Sequence, residues 1–193
     1  MKPKGRRIKY KVGGKEVYMT LHLKEVTVPI EDVLKMENKQ LYCDMCESGC
    51  KNFGKKLSCP PKSPAFNHYC KNYKNITVFL LYVHMHNFNY FGGNGYRKII
   101  VANGILKCWL DKHIHKILRE RPDVRLITSG SCRKCAKCGP DVCKKPLLRM
   151  FSFESLGINC TQLAQELFNH KILWYANKKI PKHTSILSGF MFN

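Results

Sequence analysis

Residues 131–146 read SCRKCAKCGPDVCKKP, and this stretch contains four cysteines, Cys132, Cys135, Cys138 and Cys143. Three thiolates at C-x2-C-x2-C spacing can each reach a different iron of a cube-shaped cluster from one loop. Bacterial ferredoxins bind [4Fe–4S] clusters with the related run C-x2-C-x2-C-x3-C-P. In this chain the fourth cysteine comes one residue later, and the proline is Pro146. The stretch predicts a metal-binding loop and leaves open whether Cys143 ligates the same cluster.

A second group of cysteines lies upstream, at Cys43, Cys46, Cys50 and Cys59. Their spacing, C-x2-C-x3-C-x8-C-P-P, offers four more ligands. The glycines and prolines among them predict a loop that follows a short helix ending near Asn38. This run can hold a second cluster, hold zinc, or share one site with the later run. The sequence therefore predicts one or two [4Fe–4S] clusters as cofactors.

Zinc is the alternative metal. Structural zinc sites commonly take two separated pairs of ligands around one tetrahedral ion. Cys132 with Cys135, and Cys138 with Cys143, can form two such pairs, but the connection between the pairs is very short. Three cysteines spaced in this way fit a cluster better than a single ion, so iron–sulfur is preferred.

Eleven cysteines in 193 residues indicate either a disulfide framework or metal ligation. The basic N-terminus has no apolar segment or cleavage site of the kind found in secretory signal peptides, and an odd count would leave one thiol unpaired. Metal ligation in a reducing cytoplasm is therefore predicted. The most apolar run, residues 76–83, is too short to span a bilayer, so no membrane partner is expected. Cys70, Cys108 and Cys160 are predicted to be ordinary buried thiols.

The chain is strongly basic, with 34 Lys and Arg against 13 acidic residues and a net charge of +21. Between Glu47 and Asp111 there is no acidic residue, although nine Lys or Arg lie in that segment. Such a field attracts RNA, DNA or an acidic redox partner. Phe88, Tyr90 and Phe91 are aromatic residues near this basic segment that can stack on bases. The sequence does not indicate an oligomeric state.

Hydrophobic patterning predicts the fold. Alternating apolar residues on both sides of Gly13–Gly14 predict an N-terminal β-hairpin with one buried face. A strand over 76–85, a helix over 96–121 and a strand over 124–128 predict a βαβ unit with a parallel pair of strands. The second cysteine run then follows the carboxyl end of a strand, where α/β sheets commonly bind ligands. Residues 172–175 and 185–192 predict a closing hairpin.

These elements predict a single α+β (or α/β) domain with a mixed sheet and two cysteine-rich metal loops. Residues 1–38 form its basic N-terminal hairpin and short helix. Residues 39–193 form its cysteine-rich metal-binding part.

The two cysteine runs together resemble an uncharacterised family of cysteine-rich prokaryotic proteins, usually described as predicted metal-binding. One family block, G-C-x-N-[YF]-G-K-x-x-[ST]-C-P-P, matches residues 49–61. A C-x2-C-x2-C block with a later C-x-x-P matches residues 132–146, and E-x-x-G-I-[DN] matches residues 154–159. The resemblance spans residues 40–193 and implies metal binding, preferably iron–sulfur, in the cytoplasm, without an established reaction. The extra Cys43 and the strong positive charge depart from the family pattern.

Three functions are compatible with these features. The first is an electron-transfer or other cluster-dependent protein, preferred because the chain has ferredoxin-like spacing and no convincing acid–base pair. The second is an enzyme in which Cys132, Cys135 and Cys138 alone hold the cluster and leave one iron open to an anionic substrate. In that case Lys55 or Lys56 orients the substrate. The third is a zinc-stabilised nucleic-acid-binding module.

Overall fold

The computed structural model describes residues 4–12, 14–139 and 141–193. Its strands are β1 (Lys4–Val12), β2 (Lys15–Pro29), β3 (Asn75–His84), β4 (Arg125–Thr128), β5 (Phe151–Ser152) and β6 (His183–Phe192). Its α-helices are α1 (Ile30–Leu34), α2 (Lys39–Glu47), α3 (Phe66–Tyr69), α4 (Gly95–Glu120), α5 (Phe153–Leu156) and α6 (Cys160–Phe168). Short 3-10 helices span Met85–Phe88 and Pro146–Leu148.

The strands form one mixed sheet in the order β1-β2-β3-β6-β4-β5. The pair β4–β5 is parallel, and the other neighbours are antiparallel. This arrangement confirms the predicted α+β domain with a mixed sheet. It also corrects the predicted parallel pair of β3 and β4, because β6 lies between them. Met191 of β6 pairs with Ile76 on one side and with Arg125 on the other.

Strand β3 is apolar without alternation because both of its faces are buried. Ile76, Val78 and Leu80 belong to a core shared with α1, α3, α5 and α6. Phe79, Leu81 and Val83 belong to a second core on the opposite face, covered by α4. The sheet is therefore the middle layer of the domain, with the long helix on one side and the short helices on the other.

The N-terminal hairpin is present as predicted, with β1 antiparallel to β2 and Ile8 opposite Met19. Met19 is buried, and Ile8 packs against the core beneath α4. Residues 1–3, Gly13 of the predicted turn, and the side chains of Val12 and Val17 lie outside the described part of the chain.

Two predicted elements are wrong. Residues 172–175 form no strand, and β6 pairs with β3 and β4 in place of a closing hairpin. Asn38 does not end a helix: its side chain accepts a hydrogen bond from the Leu41 backbone N–H at 3.1 Å and caps the start of α2. Cys43 and Cys46 consequently lie on a helix, where a loop was predicted.

In the described residues, no helix has the length and apolar character needed to cross a membrane.

Candidate metal centre

The second cysteine run follows β4, the strand predicted to lead into it. Strand β4 ends at Thr128, and the chain then leaves the carboxyl edge of the parallel β4–β5 pair. All four cysteines of this run line one narrow cavity, with a volume of about 30 Å³. We call it the four-cysteine cavity; its sulfur-bearing residues are Cys132, Cys135, Cys138 and Cys143, and Lys56, Leu57 and Ser58 of the first run form part of its wall.

Three cysteines of the first run line a different and larger cavity, of about 300 Å³. We call it the three-cysteine cavity, defined by Cys46, Cys50 and Cys59. Cys46 projects from α2, and the chain then turns through Gly49 to bring Cys50 beside it, with the Cys50 N–H donating to the Cys46 carbonyl at 2.9 Å. Cys43, one helical turn earlier on α2, does not line this cavity.

The two cysteine runs contact each other directly. The Cys132 backbone N–H donates a hydrogen bond to the Ser58 hydroxyl at 3.1 Å. The Lys56 ammonium donates to the Ser131 hydroxyl at 3.1 Å and to the Cys132 carbonyl at 3.2 Å. The first run therefore forms the wall between the two cavities, with Ser58 on one side and Cys59 on the other.

The first run is held in place by backbone hydrogen bonds and burial. The Gly54 N–H donates to the Pro60 carbonyl at 2.9 Å, and Gly54 has φ +67°, a left-handed conformation that favours glycine. Leu57, Ser58 and Cys59 are buried, with Cys59 only 7% exposed. This part of the family block GCKNFGKKLSCPP therefore forms a packed wall beside the sulfurs.

The contacts made by residues 154–159 give a structural reason for their E-x-x-G-I-N pattern. Gly157 ends α5 with φ +94°, and a Cβ there would lie 2.7 Å from the Lys39 Cα. The Gly157 carbonyl accepts from the Asn38 N–H at 2.7 Å. The Asn159 side chain caps α6 by accepting from the Gln162 N–H. These contacts fix the start of α2 and, with it, the position of Cys46.

Charged side chains surround the three-cysteine cavity, among them Lys107, Arg133 and Glu154. Arg133 is held by two partners, with one nitrogen 2.9 and 3.0 Å from the Asp111 carboxylate oxygens and another 3.1 Å from the Ser129 carbonyl. Burial lowers the pKa of the Lys107 ammonium, and the positive charge of Arg133 acts in the same direction. The cavity therefore combines sulfur donors with cations.

Burial also affects the thiols. It is the main cause that raises the pKa of Cys46 and of Cys59 above the ordinary value, and neighbouring cysteines add to the effect. Among the causes acting on Cys59 is the charge of Cys138, a residue of the other cavity. Uncompensated thiolates are thus disfavoured here, and a bound cation would compensate them.

The donor sets fit a metal centre in their chemistry. All eleven cysteines are free thiols, and sulfur is the donor that iron–sulfur clusters and structural zinc both use. Across the described ranges, no three His, Cys, Asp or Glu side chains converge closely enough to hold a single metal ion. The cysteines are therefore grouped by the cavities they line.

The remaining cysteines separate into two kinds. Cys70 and Cys160 are buried, as predicted. Burial, followed by contact with Glu154, raises the pKa of the Cys160 thiol well above its ordinary value. Cys108 is exposed, so its prediction as a buried thiol is wrong. It lies on α4 beside the buried positions Leu106 and Leu110 but faces the N-terminal hairpin, near Tyr10.

Sequence reasoning missed Lys107 and Glu154 as residues of the site and proposed Lys55 or Lys56. Lys56 supports the backbone of the second run, whereas Lys55 lines neither cysteine cavity. The position of Lys107 on α4 could have indicated it, because it directly follows the buried Leu106 and precedes the buried Leu110 by three residues. A lysine at such a position lies near the buried face of the helix. For Glu154 the signal was its place in the E-x-x-G-I-N block.

Comparison with known proteins agrees with the sulfur-rich geometry. The sequence model of one family, described as predicted metal-binding protein (DUF2284), matches residues 32–191, which is most of the chain. The curated proteins and the solved structures gave no match. The chain, with its two cysteine-lined cavities, therefore belongs to the DUF2284 family of predicted metal-binding proteins.

Proposed function

We propose that the protein is an iron–sulfur protein with two neighbouring centres. Cys132, Cys135, Cys138 and Cys143 hold a closed centre that carries electrons, and Cys46, Cys50 and Cys59 hold an open centre that binds a small ligand. The observation that carries this proposal is the separation of the cysteines into two cavities, four in one and three in the other.

The closed centre is supported by the complete lining of one cavity by the second run. A cluster with four cysteine ligands has no free iron position, and its chemistry when bound is one-electron transfer. The protein's part is to fix the loop. Ser58 and Lys56 do so by bonding to the Cys132 backbone, and Lys62 lies 3.3 Å from the Asp141 carboxylate on the same loop.

The open centre is supported by the three thiols of the larger cavity and by the place of Cys43 outside it. A cluster with three cysteine ligands keeps one iron free to act as a Lewis acid toward a ligand. We therefore assign the open iron position to the first cysteine run, whereas the hypothesis from the sequence placed it on the second run. Lys107 and Arg133 supply positive charge around the same cavity.

The proximity of the two centres favours a shared redox role. Cys59 of the three-cysteine cavity lies within electrostatic range of Cys138 of the four-cysteine cavity. Ser58, its neighbour in sequence, hydrogen-bonds to the loop that carries Cys132. Leu57, Ser58 and Cys59 would thus separate the two centres by a thin wall, and one-electron transfer is the chemistry that clusters bound there would supply.

Zinc in the four-cysteine cavity is the alternative, and the narrowness of that cavity favours it. A volume of about 30 Å³ is of the order of a single water molecule's share of the liquid. A single zinc ion is closer in size to such a space than a cluster, but the thiols would have to move toward the ion, since no three donor side chains of the described residues converge on one point. A cluster would require the loop from Cys132 to Cys143 to move outward. Zinc there would make the centre structural and remove the electron-carrying role.

Metal analysis of anaerobically purified protein tests the proposal. We expect iron and acid-labile sulfide in about equal amounts, and broad thiolate-to-iron absorbance near 400 nm that bleaches on reduction. Iron and sulfide equivalent to one cluster, together with one zinc per chain, would support the mixed form with zinc in the four-cysteine cavity. Zinc without iron or sulfide would reject the iron–sulfur proposal.

A second candidate function, binding of single-stranded RNA, is supported by a basic cavity of about 410 Å³ between β1 and α4. The aromatic rings of Tyr10 and Trp109 lie in its wall. Its basic lining residues are Arg6, Arg7, Lys9, Lys112 and Lys116. Cations that follow a phosphate backbone, together with rings on which bases stack, are the usual features of such sites.

Binding of a labelled oligouridylate tests this candidate. Replacing Lys112 and Lys116 with Glu should weaken binding by about tenfold or more and reduce its salt dependence. The matched control replaces Lys71 and Lys74 with Glu; both are exposed just before β3, and neither lines this cavity. Equal loss in both double variants would show that only net charge matters, and absence of binding at low salt would remove the candidate.

A further inference from the structure

The three-cysteine cavity adjoins another cavity of about 380 Å³, which we call the aromatic cavity. Lys107, Gly130 and Glu154 line both. Each volume lies in the range of small-molecule sites, which occupy roughly 300–1,000 Å³. The two cavities therefore lie next to each other, with Lys107, Gly130 and Glu154 in the wall that they share.

The far end of the aromatic cavity is built from ring side chains, with Tyr96, Trp174 and Tyr175 in its wall. The rings of Tyr96 and Tyr175 lie 5.8 Å apart, and Trp174 is 70% exposed. A Cβ on Gly95 would lie 3.1 Å from the Tyr175 ring, so glycine at this position allows that ring to approach α4 closely. A large exposed aromatic residue beside a cavity is typical of a site that binds a planar apolar group.

Lys107 marks the polar end of the site. It is half-buried, and within the described residues its ammonium has no hydrogen-bond or ion-pair partner. This contrasts with Arg133, whose guanidinium is bound to Asp111 and Ser129. The Lys107 Nζ lies 3.2 Å from the position that a Cβ on Gly130 would take, so the glycine leaves room for it. Glu154 and Asp111 attract this ammonium electrostatically but make no hydrogen bond to it within the described residues. A partly desolvated cation that lacks a hydrogen-bond partner favours an anionic ligand.

The charge balance restricts the class of anion. Glu154 lies on the same shared wall as Lys107, and Arg133 is already paired with a carboxylate. One available positive charge next to one carboxylate suits a ligand with a single negative charge better than a phosphate dianion. The aromatic wall adds a requirement for a planar apolar group.

We propose that the aromatic cavity binds a small aromatic carboxylate, with its carboxylate on Lys107 and its ring against Trp174 and Tyr175. The binding site depends only on the residues described above. Its role as the substrate site of the open centre rests on the proposed function, because Cys46, Cys50 and Cys59 line the neighbouring cavity, which shares Lys107 with this one.

Fluorescence titration with benzoate tests the proposal on the full-length protein. Trp109→Phe leaves Trp174 as the single tryptophan, so a change in emission reports on the aromatic cavity. Lys107→Met removes the charge at similar side-chain length, and Lys71→Met, at an exposed position that lines none of the cavities described above, is the matched control. Benzamide serves as the neutral counterpart of benzoate.

We expect saturable benzoate binding in the parent and in the Lys71→Met variant, and binding about tenfold weaker or more in the Lys107→Met variant. Benzamide should bind the parent more weakly by a similar factor. Equal affinity for benzoate and benzamide in the parent would overturn the proposal even if Lys107→Met fails to fold, and so would the absence of any benzoate response.

Metal analysis of the same samples separates this proposal from the proposed function. Benzoate binding in protein that contains no iron would leave the site intact and reject the iron–sulfur role. Iron-loaded protein that ignores benzoate would reject the aromatic carboxylate and leave the iron–sulfur role standing.

Discussion

The backbone N–H of Cys132 donates a hydrogen bond to the side-chain hydroxyl of Ser58 at 3.1 Å. This bond joins two cysteine runs that are more than 70 residues apart in the chain. Ser58 is only 2% exposed, so water cannot replace it as a partner. The relative position of the two cysteine-lined cavities therefore depends on a buried polar contact as well as on the cysteines themselves.

Replacing Ser58 with Ala should lower the free energy of unfolding by about 1–3 kcal/mol, because the Cys132 N–H loses its partner. Urea unfolding of matched preparations measures the difference. Ser48→Ala is the control, since the exposed Ser48 hydroxyl bonds, among the described residues, to the nearby Met45 carbonyl alone, at 2.9 Å. Similar small effects in both variants would show that the bond between the runs contributes little.

Two glycine substitutions should have opposite effects. Gly157→Ala should destabilise by about 2 kcal/mol or more, because Gly157 has φ +94° and an added Cβ would lie 2.7 Å from the Lys39 Cα. Gly104→Ala should stabilise by about 0.5–1 kcal/mol, because Gly104 lies inside α4 with open space around it. Thermal or urea unfolding measures both. A neutral Gly157→Ala would contradict the contact between α5 and α2.

Stability should fall in mild acid through His170. Burial lowers the pKa of His170 to about 4, with the charges of His183 and Lys24 acting in the same direction. The unfolded chain takes up this proton near pH 6.5 and the folded protein only near pH 4, so stability is lost as the pH falls from about 6.5 to about 4. His170→Gln should keep the side-chain partner of Ser185 and remove this dependence.

Urea unfolding at several pH values compares wild type with the His170→Gln variant. The difference in unfolding free energy between them should shift in favour of the variant as the pH falls through that window. Other nearby histidines, including His22 and His84, are present in both proteins and cancel in the comparison. A constant difference across the window would contradict the assignment.

Thiol labelling should distinguish the cysteines outside the two cavities. Cys108 is exposed and should react readily with iodoacetamide in the native protein. Cys160 is buried, and burial raises its thiol pKa well above the ordinary value, so it should react only after unfolding. Peptide mass spectrometry reads out each site. Early labelling of Cys160 would indicate that α6 does not pack as described.

Local sequence patterns correctly predicted the N-terminal hairpin, β3 and α4. The alternation in the hairpin, the apolar run of β3 and the amphipathic pattern of α4 each depend on neighbouring residues, and each element is present. The position of β6 was not predictable in this way. Its hydrogen bonds go to β3 and β4, which lie more than 50 residues earlier in the chain. Its place in the sheet therefore depends on contacts that no local sequence pattern encodes.

In the candidate site, too, sequence spacing predicted some features and could not predict others. Cysteine spacing indicated which thiols share a loop, and the four cysteines from Cys132 to Cys143 do line one cavity. Spacing did not indicate that Cys43 lies outside the three-cysteine cavity. A loop was predicted there, whereas residues 39–47 form a helix that Asn38 caps. It also did not identify Lys107, which reaches the cavity from α4 on a different part of the chain.

The two cysteine runs are proposed to form two separate metal centres. Iron and sulfide content of three single variants, Cys43→Ser, Cys50→Ser and Cys138→Ser, tests this proposal most directly. We expect Cys43→Ser to retain the wild-type iron and sulfide, and Cys50→Ser and Cys138→Ser each to lose about half while keeping the other centre. Complete loss of iron and sulfide in both the Cys50 and Cys138 variants would show one shared site and contradict the proposal.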